Sequence, residues 1–455
     1  MTRHRLWISL FLAAVPHGPL HAAGHFWDEI PPSPSTTRPA EVLDDYWNSE
    51  FQRVNREIAA TKDPGLLFFG DSLTWSWSLG PATGKAVWEK QFVPHRPINM
   101  GNSGDITPVM LHRVTRGNLD FPAGVHPKVA VLLCGINNFG VTTSARGKET
   151  WDLGKDCPLE DIAHGQRAIA QVFRRKLPHT RVIMIALLPV ADRVKWEKCQ
   201  RVNAIQNAVT SDSKEVAFIN LQDRFLLADG TIDKSMFTDG LHLSAGGYQA
   251  MADALAPTIQ GFLKAPPLDP AKILLIGGSL TEGVDSSRCY RRHLDGMLRR
   301  KGHLIDFIGS RHRHHDDKSE ADSYEFDPDH EGHWGKGPAW FADNMARLLV
   351  GNAPDVAVIE MDAAGDLVQH LKRVVASLRA SNPKVGIVLA NTGPAEVRKE
   401  RSALIEGKIA SAGASSVTVV EIDRAAASKD GLPGVEEARK MAASLAGVME
   451  PLLRQ

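Results

Sequence analysis

Four short polar stretches carry residue types that together can open an ester. Gly70-Asp71-Ser72-Leu73-Thr74 ends the apolar run Leu66-Leu67-Phe68-Phe69, placing a serine hydroxyl in a tight turn directly after a buried strand. A hydroxyl is a poor nucleophile until a base takes its proton. Asp239-Gly240-Leu241-His242 supplies a base and its orienting acid. At this spacing the chain folds back within one turn, so the carboxylate holds one ring nitrogen while the other faces Ser72 at about 3 Å. Asn99-Met100-Gly101-Asn102-Ser103-Gly104-Asp105 is glycine-rich enough for its backbone to approach a ligand, and Gly135-Ile136-Asn137-Asn138 follows another apolar run. Backbone N–H groups of Ser72 and Gly104 with the Asn137 amide are the candidate oxyanion hole. Singly, each stretch reads as an ordinary polar turn or helix cap. Together, in this order and all at strand ends, they read as a site, with Ser72, Asp239 and His242 catalytic. Trp75, Trp77 and Asn138 are the candidate substrate-binding residues. Trp88 and the two tryptophans have helix-on-sheet packing as their alternative.

Such residues need a sheet to hold them. Short all-apolar runs at 66–69, 128–134, 181–187 and 215–221 alternate with helical patterns near 160–176, 198–210 and 245–263. Earlier, Tyr46, Trp47, Phe51, Val54 and Ile58 share one helical face. Strands without polar alternation, separated by helices, predict an α/β fold with a parallel sheet covered on both sides. Chemistry in such a sheet gathers beyond the carboxyl ends of the strands. After the proline-rich stretch from Lys264 to Pro270 the pattern restarts, with strands at 273–276, 305–308, 355–361, 384–390 and 416–422. Gly277-Gly278-Ser279-Leu280-Thr281 repeats the serine-bearing punctuation, which argues for an internal duplication.

The resulting division is 1–23 signal peptide, 24–42 draped leader, 43–263 catalytic domain, 264–271 linker and 272–455 second domain. Arg3, His4 and Arg5 precede the apolar run Leu6–Val15, and Ala22-Ala23 follows, so the chain is expected to be exported to the periplasm or beyond. That run is too short to span a bilayer, and stable membrane insertion is not expected. Lys plus Arg equals Asp plus Glu at 53 each, and no long basic block marks a nucleic-acid partner. Of four cysteines, Cys134 reads as core, while Cys157 and Cys199 could pair in an exported protein. The run Arg311-His312-Arg313-His314-His315-Asp316-Asp317 reads as a solvated loop, because interleaved arginines repel a cation.

With these residues in place, the first domain resembles the GDSL/SGNH hydrolase superfamily, whose blocks supply Ser72, Gly104, Asn137 and His242 with Asp239. Within it, Asn99–Thr107, Gly135–Asn138 and Leu187-Leu188-Pro189 are similar to the catalytic subunits of intracellular platelet-activating-factor acetylhydrolase. The resemblance covers roughly 43–263 and implies a flavodoxin-like α/β/α fold with ester hydrolysis that uses no cofactor and no metal. Ile136 departs from the threonine common in the family. The second domain resembles carbohydrate esterases, family 3-like, that deacetylate xylan, through Gly283, Tyr290-Arg291-Arg292, Asp306–Ser310 and Asp329–Gly335. It keeps Ser279 but has Gly278 for the preceding Asp, Asp362-Ala363-Ala364-Gly365-Asp366 for the Asn block, and Asp430-Gly431-Leu432-Pro433 without its histidine. It is therefore expected to be degenerate and non-catalytic, and a contact with the active-site rim is one role open to it. The expected function is a secreted serine esterase removing short acyl groups, acetyl first, from carbohydrate. The alternatives are a lipolytic or platelet-activating-factor-acetylhydrolase-like esterase on small lipid esters, an O-acyltransferase, and a non-enzymatic carbohydrate-binding protein.

Overall fold

Leu66–Gly70 is buried at every position, as a strand covered on both faces must be. It is β1 in the computed structural model, which describes residues 24–33, 36–42, 44–140, 157–211, 213, 215–315, 325–361, 367–393, 395–396, 398–399, 401–402, 417–423 and 432–453. The expected signal peptide, Asp362–Asp366, Asp430-Gly431 and Asp316-Asp317 lie outside the described residues. With β2 (Pro97–Gly101), β3 (Val129–Leu133), β4 (Arg181–Ile185) and β5 (Val216–Ile219), β1 forms a parallel sheet in the order β2-β1-β3-β4-β5. Gly70 pairs with both Gly101 and Leu133, which aligns the carboxyl ends of the three strands that precede the polar stretches. Alternate residues feed two cores. Leu66, Phe68, Val129 and Val131 join one, and Leu67, Phe69, Ala130 and Leu132 join the other.

Helices cover both faces: α1 (Asp45–Ala60), α2 (Ser72–Trp75), α3 (Lys85–Gln91), α4 (Thr107–Thr115), α5 (Leu159–Lys176), α6 (Arg193–Thr210) and α7 (Ala245–Lys264). Asp44 caps α1 by accepting from Trp47 N–H, and Trp47, Phe51, Val54 and Ile58 form its buried stripe. The strand at 97–101 is not visible as an apolar run, because Pro97, Asn99 and Gly101 interrupt it. As the edge strand β2 it tolerates the proline.

The second lobe repeats the plan. β6 (Ala271–Gly277), β7 (Ile305–Ile308), β9 (Val356–Met361), β10 (Gly386–Gly393) and β11 (Val417–Asp423) run β11-β10-β9-β6-β7, with the short β8 (Glu331–Gly332) beside β6. Read from β7, this is the order of the first sheet. Its helices are α8 (Ser279–Glu282), α9 (Tyr290–Arg300), α10 (Pro338–Leu348), α11 (Leu367–Ser381) and α12 (Val435–Leu453). The chain thus folds as tandem α/β/α units. The repeat extends to single atoms. A methyl on Gly70 would meet Thr74 Oγ1 at 2.3 Å, and one on Gly277 would meet Thr281 Oγ1 at the same 2.3 Å. Likewise Gly101 lies under the backbone N of Trp75, and Gly332 under that of Glu282.

The leader is packed rather than loose. Phe26 and Trp27 are buried, and the Trp27 ring lies 5.3 Å from the Arg175 guanidinium of α5 and 4.7 Å from that of Arg299 in α9. Asp295 of α9 accepts from Arg299 at 2.7 Å and from Arg175 at 3.3 Å, so one buried carboxylate joins the lobes. His179 and Arg181 reach the carbonyls of Leu268 and Pro266 in the linker. All these first-lobe residues precede or begin β4. In a parallel sheet that edge is opposite the carboxyl ends where Ser72 sits. The expected contact of the second domain with the active-site rim is therefore corrected: among the described residues the lobes join at the far edge.

None of the four cysteines is in a disulfide, so the pairing open to Cys157 and Cys199 is not formed. Cys199 is buried in α6, and Cys157 Sγ lies 3.8 Å from the Asn138 carbonyl oxygen. Nor is the histidine run simply solvated. Arg311 pairs with the buried Glu282, and His314 is itself buried.

Candidate active site

Ser72 is the first residue of α2, at the carboxyl end of β1. Asp71 caps that helix, its Oδ1 accepting the Leu73 N–H at 3.0 Å, which fixes the turn and leaves Ser72 at its tip. Asp71 is fully buried and its Oδ2 has no partner among the described residues. Burial, opposed by the Leu73 N–H, pushes its carboxyl up to about 7.

The base arrives from the turn before α7. Asp239 Oδ1 accepts the backbone N–H of Leu241 at 3.0 Å and of His242 at 2.7 Å, so the carboxylate itself builds the turn. Gly240 adopts φ 83° within it, and a methyl there would meet Ala191 Cβ at 2.6 Å. Asp239 Oδ2 lies 2.7 Å from His242 Nδ1, and His242 Nε2 lies 3.0 Å from Ser72 Oγ. These partners assign the imidazole proton to Nδ1, leaving Nε2 to accept from the hydroxyl. Partial burial raises the Asp239 carboxyl, but the hydrogen bonds from the His242 ring and from the N–H groups of His242 and Leu241 outweigh it. It stays ionised below its usual range. The pair is thus a serine-hydrolase arrangement: a hydroxyl, an acceptor nitrogen and an anion behind it.

Gly104 takes φ 87° in the loop after β2. Asn137 Nδ2 donates to the Asp105 carbonyl at 3.0 Å, which ties the Asn137 turn to that loop. A buried network, not anticipated from the sequence, holds the loop from beneath. Asp105 pairs with Arg113 of α4 at 2.6 Å, both side chains fully buried, and accepts Trp47 Nε1–H at 3.1 Å. Arg113 reaches on to Asn118 at 2.9 Å and to the Met100 carbonyl of β2. Burial, only partly offset by Arg113, lifts the Asp105 carboxyl to about 6. The pairing joins residues eight apart in an unexceptional polar stretch, so no local pattern reveals it. Asn102, in the same loop, is fully buried with neither side-chain atom bonded among the described residues.

Two substrate-binding expectations are corrected. Trp77 is 1% exposed, its ring 4.4 Å from Tyr248 and packed with Phe68, Trp88 and Phe92. Tyr248 in α7 also donates its hydroxyl to the Leu73 carbonyl at 2.8 Å. Trp77 therefore braces the nucleophile turn against the helix that follows His242. Asn138 is 1% exposed, its side chain accepting Thr107 N–H at 3.1 Å and donating to Thr107 Oγ1 at 3.0 Å, so it clamps α4 and offers nothing to a substrate. Trp75 is partly exposed beside Tyr46 and Gly80, one turn past Ser72.

At the second serine, Gly278 offers no carboxylate. Glu360 reaches over from β9 instead, accepting Gly278 N–H at 3.0 Å and Thr281 Oγ1–H at 3.2 Å. Glu282 stands where the first lobe has Trp75, buried, paired with Arg311 and accepting Trp334 N–H.

Residues 68–250 match the model of the GDSL-like lipase/acylhydrolase family. A platelet-activating factor acetylhydrolase IB subunit alpha1 from Bos taurus is 30% identical over 233 residues, 50% of this chain and 88% of the relative. Its counterpart from Pongo abelii is 29% identical over 246 residues, 52% and 96% of the two chains. Among solved structures, a family 3 carbohydrate esterase from Clostridium thermocellum is 27% identical, with a TM-score of 0.35 over 41% of this chain and 98% of its own.

Proposed function

The chain belongs to the GDSL-like lipase/acylhydrolase family and is a serine esterase, and from that premise we propose that its first lobe removes short acyl groups, acetyl foremost, from acetylated carbohydrate outside the cytoplasm. The observation that carries the ester chemistry is the 3.0 Å approach of His242 Nε2 to Ser72 Oγ, with Asp239 at 2.7 Å behind the ring. Ser72 attacks the acyl carbonyl as His242 takes its proton, and the ionised Asp239 stabilises the imidazolium. The N–H groups of Ser72 and Gly104 and the Asn137 amide receive the oxyanion, each worth about 3 kcal/mol in the transition state. His242 then returns the proton to the leaving alcohol, and water, activated by the same nitrogen, releases the acyl group from Ser72. Trp75 lines the approach.

Acetyl is the group named in the curated relatives' own activity. The charged, apolar and small-residue order of the N-terminus supports export, and the second domain's sequence resemblance supports a sugar as the alcohol. The relatives' name favours a small lipid ester as the second reading. The second lobe is read as non-catalytic, since its chain offers no histidine after His370.

Acetate release should be measured across acetylated xylan, other acetylated glycans, aryl acetates and short-chain phospholipids. Release from glycans is expected; release confined to phospholipids would replace the carbohydrate reading with the lipid one. Ser72→Ala should cost on the order of 10⁴-fold or more in kcat, and Asp239→Asn roughly 10³-fold to 10⁴-fold. Ser279→Ala should leave the rate unchanged, and a loss there would make the second lobe a working site.

A further inference from the structure

Far from Ser72, the leader and both lobes enclose a cavity of about 320 Å³, within the range of small-molecule pockets and at the kind of lobe boundary where such pockets gather. Four guanidinium groups line it, Arg175 from the first lobe and Arg292, Arg300 and Arg439 from the second. Two are neutralised: Arg175 by Asp295 at 3.3 Å and Arg292 by Glu325 at 2.8 Å. Arg300 donates only to the Trp27 carbonyl, at 3.4 Å, and Arg439 has no carboxylate partner among the described residues. Two further acids, Asp28 and Glu29, also line the wall, and neither is paired with Arg300 or Arg439 among the described residues. Asp28 accepts the His25 N–H at 2.6 Å, and Glu29 lies 3.9 Å from His293 Nδ1. Arg300 and Arg439 are thus the two guanidiniums of the wall without an ion pair among the described residues, beside the apolar Met297 and the buried Trp27, whose ring lies against the Arg175 and Arg299 guanidiniums.

We propose that this cavity binds a small oxyanion-bearing molecule of monosaccharide size, a uronate or a sugar phosphate, its anionic group held by Arg300 and Arg439. A guanidinium presents paired donors that match the two oxygens of a carboxylate or phosphate, here from the half-buried Arg300 and the exposed Arg439. Because the cations come from the second lobe and Trp27 from the leader, the ligand draws the leader and the second lobe together. This site is independent of the ester chemistry and of its substrate.

The test is thermal unfolding of the full chain with glucuronate, glucose 6-phosphate, inorganic phosphate or neutral glucose, at constant ionic strength set by chloride. A saturable rise in Tm is expected with one or both sugar acids and none with glucose. Glucuronate alone would identify a carboxylate ligand, and glucose 6-phosphate alone a phosphate one. The double variant Arg300→Gln/Arg439→Gln should weaken binding about tenfold or more, since hydrogen bonds between charged groups are lost. Gly296→Leu, which fills the cavity without altering its charge, should do the same. Aryl-acetate hydrolysis by both variants checks that they are folded, and Ser72→Ala should bind normally. The proposal is overturned if neither sugar acid gives a saturable shift, if inorganic phosphate matches them, or if the variants bind as the parent does.

Discussion

The carboxyl of Asp71 lies next to the nucleophile in sequence and beneath it in space, fully buried, one oxygen capping Leu73 and the other unbonded among the described residues. Burial moves its pKa up from 3.8 to about 7, so the native state keeps a proton that the unfolded chain releases near its ordinary value. Between about pH 4 and 7 the native state thus binds more protons, and this residue's contribution to stability falls as pH rises through that window, then levels off. Asp71→Asn keeps an acceptor for Leu73 and cannot titrate. Denaturant unfolding of parent and variant at several pH values across the window should give a difference that shrinks the parent's relative stability as pH rises. A flat difference would show that Asp71 is ionised throughout. Asp105, lifted to about 6, titrates in the same range, which is why the difference rather than either curve is the reading.

At the level of elements, Trp77 links the nucleophile turn to α7 through Tyr248, whose hydroxyl holds the Leu73 carbonyl. Trp77→Ala should destabilise the fold by about 3–5 kcal/mol, read from denaturant unfolding, while KM at low temperature stays near the parent value. A variant with normal stability and a raised KM would return Trp77 to the substrate wall. The same element shows what a sequence can reveal. Ser72, Asp239 and His242 are legible because the acid and base lie within one turn, and because each polar stretch interrupts an apolar run. The sheet order follows from unalternating strands between helices, and the duplication from Ser279. The inward turn of Trp77 and Asn138 is not legible, because proximity in sequence to Ser72 or Asn137 does not say which way a side chain turns. Asn138 finds Thr107, and Asp105 finds Arg113 and Trp47, through pairings that only the folded chain brings about.

For the whole molecule, the joint between lobes rests on Asp295 between Arg175 and Arg299, with Trp27 over both guanidiniums. A buried carboxylate removed from such a cluster leaves cations without compensation and typically costs about 3–5 kcal/mol. Asp295→Asn should therefore separate the unfolding of the two lobes, giving two calorimetric transitions where the parent gives one. A single transition at the parent's midpoint would mean that the lobes are coupled by the leader and linker without this cluster.

Glu282 stands where the first lobe has Trp75, and its surroundings differ from those of Trp75. Its carboxylate is engaged by Arg311 and by the Trp334 backbone, and the turn after β6 has no side-chain cap, Glu360 instead accepting from Gly278 N–H and Thr281 Oγ1–H. Each replacement depends on others nearby. Reinstating an asparagine and a histidine beside Ser279 would thus place catalytic groups in a neighbourhood already rebuilt around buried charge. Two substitutions alone would therefore not rebuild the first lobe's arrangement around Ser279.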